Sequence, residues 1–158
     1  MTSSNASSRP KELVLERTFN APRDLVFNVW TTPEHLAKWW GPKDYTNPVC
    51  ELDLRPGGAI RIDMRSPEGV VIPSKGFFNE ITPPESLVFT LTNFEDEAGE
   101  PQLEIHNTVT FEEINGKTKL TLRAVIVKST SAVDIPLSEM ETGWNQSLDR
   151  LADVLRNA

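Results

Sequence analysis

From Val49 to Val127 the hydrophobic residues recur at every second position, and each run ends in a turn after a few residues. That pattern leaves few folds open. Period two means strands with one buried face, and short connections mean neighbours that pair antiparallel. "AIRIDMR" sets Ile60, Ile62 and Met64 against Arg61, Asp63 and Arg65. "LEIHNTVTFEEI" puts Ile105, Asn107, Val109 and Phe111 on one face. "KTKLTLRAVIV" does the same for Leu120, Leu122, Ala124 and Ile126. Asn115-Gly116 between these two runs is a hairpin dipeptide. The runs at 49–54, 59–65, 74–82, 86–94, 103–114 and 117–127 predict six strands in a meander, and "LVLERTF" at 13–19 precedes them as a seventh.

Helical spacing occurs on either side of the meander. In "NAPRDLVFNVW", Asn20 is a candidate cap, Pro22 suits a first turn, and Val26, Val29 and Trp30 form a stripe. "TTPEHLAKWWGP" restarts the pattern, with Thr32 as cap, Pro33 next, and Gly41-Pro42 as the stop. From Pro136 to Arg156, Met140, Trp144, Leu148, Leu151 and Leu155 make one apolar stripe, and Ser138 and Glu141 have capping-box spacing. Glu139, Asp149, Arg150, Asp153 and Arg156 are expected to face water. A sheet with one apolar face must be covered, and only this last helix is long enough to do so. The expected fold is therefore α+β. A curved antiparallel sheet of about seven strands wraps a long C-terminal helix, with two short helices after the first strand. The reading is a loose tail at 1–11 and a single domain at 12–158.

Charge and composition exclude several functions. A net charge of −7 opposes binding to nucleic acid or to an anionic membrane. No run of 18 apolar residues can span a bilayer, and "MTSSNASSRPKE" lacks the apolar core of a secretory signal. The single cysteine, Cys50, allows no internal disulfide and fits a reducing cytoplasm. The sequence leaves oligomeric state open, a homodimer included.

Catalytic chemistry has little support. There is no G-x-S-x-G, and no glycine-rich loop opens a helix. His35, His106 and Cys50 are far apart and unpaired, so no metal site and no cofactor is expected. Parity turns His106 outward, His35 reads as solvated, and Cys50 reads as a small buried hydrophobe. Glu51 and Asp53 share a face opposite Cys50 and read as surface, while the facing of Glu80 is open. The informative residues are polar ones on apolar faces. Asn107 stands between Ile105 and Val109, and Asn93 continues the row of Leu87, Phe89 and Leu91. A buried amide without a partner costs about 1–3 kcal/mol, so each must bond backbone, water or ligand. Gly143 inside the last helix costs roughly 1 kcal/mol against alanine, which points to close helix approach or to room for a ligand.

Four segments, "APRDLVFNVWTTPEHLAKWWGP", "LDLRPGGAIRIDM", "ITPPESLVFT" and "METGWNQSLDRLADVL", carry a resemblance in that order. They resemble the landmarks of the family named for homology to the activator of the heat-shock-protein-90 ATPase. That family belongs to the START-like (SRPBCC, Bet v-type) superfamily with the helix-grip fold. The resemblance covers roughly Leu13 to Leu155. It implies the same element order, with a deep apolar cavity between sheet and last helix. It does not imply one activity, since relatives include lipid carriers, polyketide cyclases and hormone receptors. The family's eukaryotic co-chaperone also carries an N-terminal domain with an Asn-Trp-His motif, which has no counterpart in this sequence. The family pattern puts Trp39 and Trp40 near the cavity mouth, one packed inward and the other at the rim or entrance.

The expected ligand wall is Ile60, Ile62, Met64, Phe89, Leu91, Val109, Phe111, Leu122, Met140, Trp144 and Leu148, with Asn107 orienting the ligand. Three functions follow from this reading. The first is a cytoplasmic protein that binds a hydrophobic or aromatic small molecule. The second is a cyclase- or hydrolase-type enzyme, which needs an inward acid such as Glu80. The third is a chaperone partner or stress-related regulator that acts through its surface.

Overall fold

A computed structural model describes residues 11–130 and 135–157. The elements run β1 (Lys11–Phe19), α1 (Arg23–Thr31), α2 (Pro33–Trp39), β2 (Thr46–Leu52), β3 (Ala59–Arg65), β4 (Val71–Thr82), β5 (Ser86–Glu95), β6 (Pro101–Ile114), β7 (Lys117–Ser129) and α3 (Leu137–Arg156). Seven strands form one antiparallel sheet in the order β1-β7-β6-β5-β4-β3-β2. The meander is sequential from β2 to β7, and β1 closes the far edge by pairing with β7, Leu15 opposite Leu122. The curved sheet and the helix that crosses it give the helix-grip architecture that the period-two runs and the final stripe predict. The expected tail lies outside the described residues except at Lys11, which opens β1 opposite Ile126.

The core lies between the inner sheet face and α3. Leu148 and Leu151 are fully buried, as are Val109, Leu120 and Leu122 beneath them. α1 plugs one end with Val26 and Val29, both buried, and Phe27 meets Phe111 edge to face at 5.4 Å. The predicted strand faces are correct for β6 and β7; in β3 Ile60 and Ile62 are buried as expected, but Asp63, set with Arg61 and Arg65, is buried as well. A bulge between Phe78 and Glu80 turns Glu80 outward, where it is exposed.

The predicted side-chain caps do not form. Pro22, not Asn20, is the residue before α1, and Pro136 precedes α3, so Ser138 and Glu141 fall inside that helix. Thr32 does precede α2, but its hydroxyl donates to Asn28 Oδ1 at 2.7 Å instead of accepting from the helix.

Candidate functional site

Trp39 and Trp40 are both buried, at 0% and 7% exposure, where the sequence reading placed one of them at the rim or entrance. Adjacent residues of one helix point about 100° apart. The helix resolves this by ending between them. Trp39 is the last residue of α2, whereas Trp40 is extended at φ −67°, ψ 131°. Trp39 turns into the core and donates its indole N–H to Val29 O at 3.2 Å. Trp40 packs beside it, ring centroids 5.9 Å apart, and also meets Trp144 at 5.3 Å and 81°. Trp30 joins them, 4.6 Å from Trp39 and 6.2 Å from Trp144, on which it stacks. At roughly 25 cal/mol per Å² over 150–250 Å², each buried indole contributes several kcal/mol.

The bend after Trp40 is held by α3. Gly41 takes φ +98°, which a side chain would resist. Its N–H donates to Ser147 Oγ at 3.2 Å, and that hydroxyl donates to Trp39 O at 2.9 Å. Arg150 places Nη1 on the carbonyls of Trp40, Gly41 and Pro42 at 2.9–3.1 Å and Nη2 on Lys38 O at 3.0 Å. The last carbonyls of a helix lack internal partners. Arg150 satisfies that of Lys38 in α2 and those of the three residues that follow the helix, where the sequence reading gave it to water. Burial pulls its pKa down and the Asp44 carboxylate pulls it back up.

Beneath this clamp lies a cavity of about 310 Å³. It sits under the first half of α3, while the second half covers solid core. Of the wall expected from sequence, Trp40, Met64, Leu91, Asn107, Met140 and Trp144 line it. Ile62 and Phe89, with Ile60, border a separate void of about 20 Å³. Trp39, Val109, Phe111, Leu122 and Leu148 are packed core that the cavity does not reach.

The polar residues of the cavity lie on register-matched positions. Ser74 of β4 faces Asn93 of β5, which faces Leu103 of β6. Asn93 Nδ2 donates to Ser74 Oγ at 2.5 Å and to Pro73 O at 3.0 Å, so the donor end of this amide is satisfied by its neighbours. Asn107 is 2% exposed and differs from Asn93, because its Nδ2 reaches Ile105 O only at 3.4 Å. That distance is beyond the usual range for N–H···O. Ser147 of α3 lines the cavity too, its hydroxyl already engaged by Gly41 N–H and Trp39 O, and Glu139, an exposed residue of the first turn of α3, is also part of the lining. Gly143 forms part of the wall. A Cβ there would meet nothing nearer than Pro42 Cγ at 3.8 Å, so close helix approach does not explain the glycine.

Sequence parity missed Phe94, Glu139 and Ser147. Phe94 follows the inward Asn93 and should point outward, yet both line the cavity because Phe94 takes φ +59° and breaks the pleat. Only a phase test around α3 that included Gly143, Ser147 and Arg150, at i, i+4 and i+7, could have shown its second packed face. The other candidates stay outside. His106 is exposed beside Glu104 at 3.1 Å. Cys50 is half-buried, and desolvation, then the Glu34 and Glu51 charges, push its thiol up to about 11. No group of three His, Cys, Asp or Glu among the described residues could hold a metal. No described helix is long and apolar enough to cross a membrane.

A curved seven-stranded sheet gripping one helix over an apolar cavity defines a START-like helix-grip protein. More narrowly, residues 20–156 match the family profile "Activator of Hsp90 ATPase homolog 1-like protein", and the chain belongs to that family. Among solved structures, a Chromobacterium violaceum protein is 28% identical with a TM-score of 0.80 over 91% of this chain and 96% of its own. The AHSA1 protein of Silicibacter pomeroyi is 26% identical, with a TM-score of 0.75 over 92% and 98%. A Nitrosomonas europaea protein is 26% identical, with a TM-score of 0.75 over 96% of each chain. No curated protein matches the chain.

Proposed function

We propose that the chain is a cytoplasmic binding protein for a small, mostly apolar molecule, held between the sheet and the first half of α3. The observation that carries this is the 310 Å³ cavity, lined by Asn107, whose amide is held only by one long bond at 3.4 Å. Apolar walls with a few convergent polar groups are the usual make-up of a small-molecule site, and that volume is within their range. The walls supply affinity and Asn107 supplies orientation. The enzyme reading loses the acid the sequence offered it, since Glu80 is exposed and does not line the cavity. A purely surface-acting regulator has no use for the open space.

The test is uptake of N-phenyl-1-naphthylamine, a neutral probe whose emission rises in an apolar site. Ile105→Trp fills the cavity from its floor. A tryptophan at the fully buried Val109, which suggests itself from sequence, would instead disrupt the solid core. Saturable uptake by the native chain, lost in Ile105→Trp with unchanged circular dichroism, is the expected result. Equal uptake by both proteins would refute the reading.

A further inference from the structure

Glu139 is the sole charged side chain among the described residues lining the cavity. Four aromatic side chains line the same space: Trp40, Tyr45, Phe94 and Trp144. An aromatic ring presents a negative face, and several rings with one carboxylate are the recognition chemistry of an organic cation. Two further observations favour this over a plain greasy pocket.

The first is the arrangement of the indoles. Trp40 and Trp144 meet at 81° with centroids 5.3 Å apart, so two walls stand at a right angle. Trp144 is fixed from behind by Trp30 at 6.2 Å and 15°, and Trp40 by the Ser147 and Arg150 clamp on its flanking carbonyls. The corner is therefore preorganised and costs little ordering on binding.

The second is Phe94. A left-handed backbone at a bulky residue is a strained outlier that persists where function or packing holds it. Here φ +59° brings to the cavity a ring that regular pleating would send to the outer face, and it remains 38% exposed. Packing gains little from a ring left that open. A ligand beneath it gains a third aromatic wall.

We propose that the cavity takes an organic ammonium: an apolar or aryl body against Met64, Leu91 and the indoles, with its cationic nitrogen at the mouth beside Glu139. This rests on the binding reading above and names its ligand class. A carboxylate ligand is disfavoured, because it would be desolvated beside Glu139 with no cation to pair it. The N-terminus of α3 brings a partial positive charge to the mouth, but Glu139, in its first turn, carries a full negative one.

Three probes of one shape test this by calorimetry: 2-naphthylmethylammonium, 2-naphthylmethanol and 2-naphthoate. The ammonium should bind about tenfold more tightly than the alcohol, combining cation–π attraction with a screened charge pair. The carboxylate should bind weakest. Glu139→Gln should cut the ammonium's lead to about threefold and strengthen the carboxylate, and Phe94→Asn, which tolerates the left-handed backbone, should weaken the ammonium most. An alcohol or carboxylate that matches the ammonium would overturn the cation assignment and leave the cavity reading standing. An ammonium lead that stays at about tenfold in Glu139→Gln would overturn it as well. If none of the three binds, both readings fall.

Discussion

Replacing Arg150 with methionine removes the guanidinium and keeps most of the stem. The guanidinium makes four hydrogen bonds, all to backbone carbonyls at the end of α2. Their worth is far below four times a charged hydrogen bond. Nη1 is shared among three acceptors, so it counts as about one strong bond, and Nη2 adds another. At about 1.5–3 kcal/mol for a bond to a charged group, two come to roughly 3–6 kcal/mol. Ordering the long side chain costs up to about 2 kcal/mol. Arg150 is also half-buried, so part of each bond is already supplied by water. A net loss of about 2 kcal/mol remains, equivalent to roughly 4–8 °C in Tm for a chain of this size. Trp40 O keeps one partner, Asn47 Nδ2 at 2.9 Å, which limits the damage to that bend. Urea unfolding measures the change directly. Arg150→Lys should recover less than half of it, because one ammonium cannot reach Lys38 and Pro42 together. Arg150→Met within 0.5 kcal/mol of the native chain, a margin typical of ordinary surface changes, would refute the clamp.

Two other substitutions follow from the same geometry. Gly143→Ala should stabilise α3 by up to about 1 kcal/mol, since the new Cβ meets only Pro42 Cγ at 3.8 Å, and thermal melts will read it. Cys50, with its thiol pushed up to about 11, should react with a disulfide reagent at pH 8 about a hundredfold more slowly than an ordinary protein thiol. Its folded pKa lies above the unfolded value, so the unfolded chain loses the proton first. Stability should therefore fall as pH rises from about 9 to 11, and the fall should be shallower in Cys50→Ala.

The sheet was legible because alternation needs only local residues and one buried face. The stripe of α3 was legible for the same reason. What escaped the sequence depends on partners far away along the chain. Arg150 reads as surface because its acceptors are the carbonyls of 38–42, more than a hundred residues away. Trp39 and Trp40 conflict on one helix, and only the stop between them lets both be buried. Phe94 obeys parity until a single left-handed residue reverses it. The extent of the cavity was misjudged because hydrophobic runs do not show where packing is complete. Val109, Phe111 and Leu122 look the same in sequence as Leu91, yet they lie under the solid half of the helix. Asn107 is the opposite case. Parity alone sets it inward between Ile105 and Val109, and its amide lies there at 2% exposure.

The most direct test is the indole region of a proton–nitrogen NMR spectrum during titration with 2-naphthylmethylammonium. The chain has four tryptophans, each with one indole N–H. Trp40 and Trp144 line the cavity, whereas Trp39 is bonded to Val29 O in packed core. The account predicts saturable shifts of the Trp40 and Trp144 signals while that of Trp39 holds still. Shifts at Trp39 with none at Trp40 or Trp144, or no shifts at all, would contradict it.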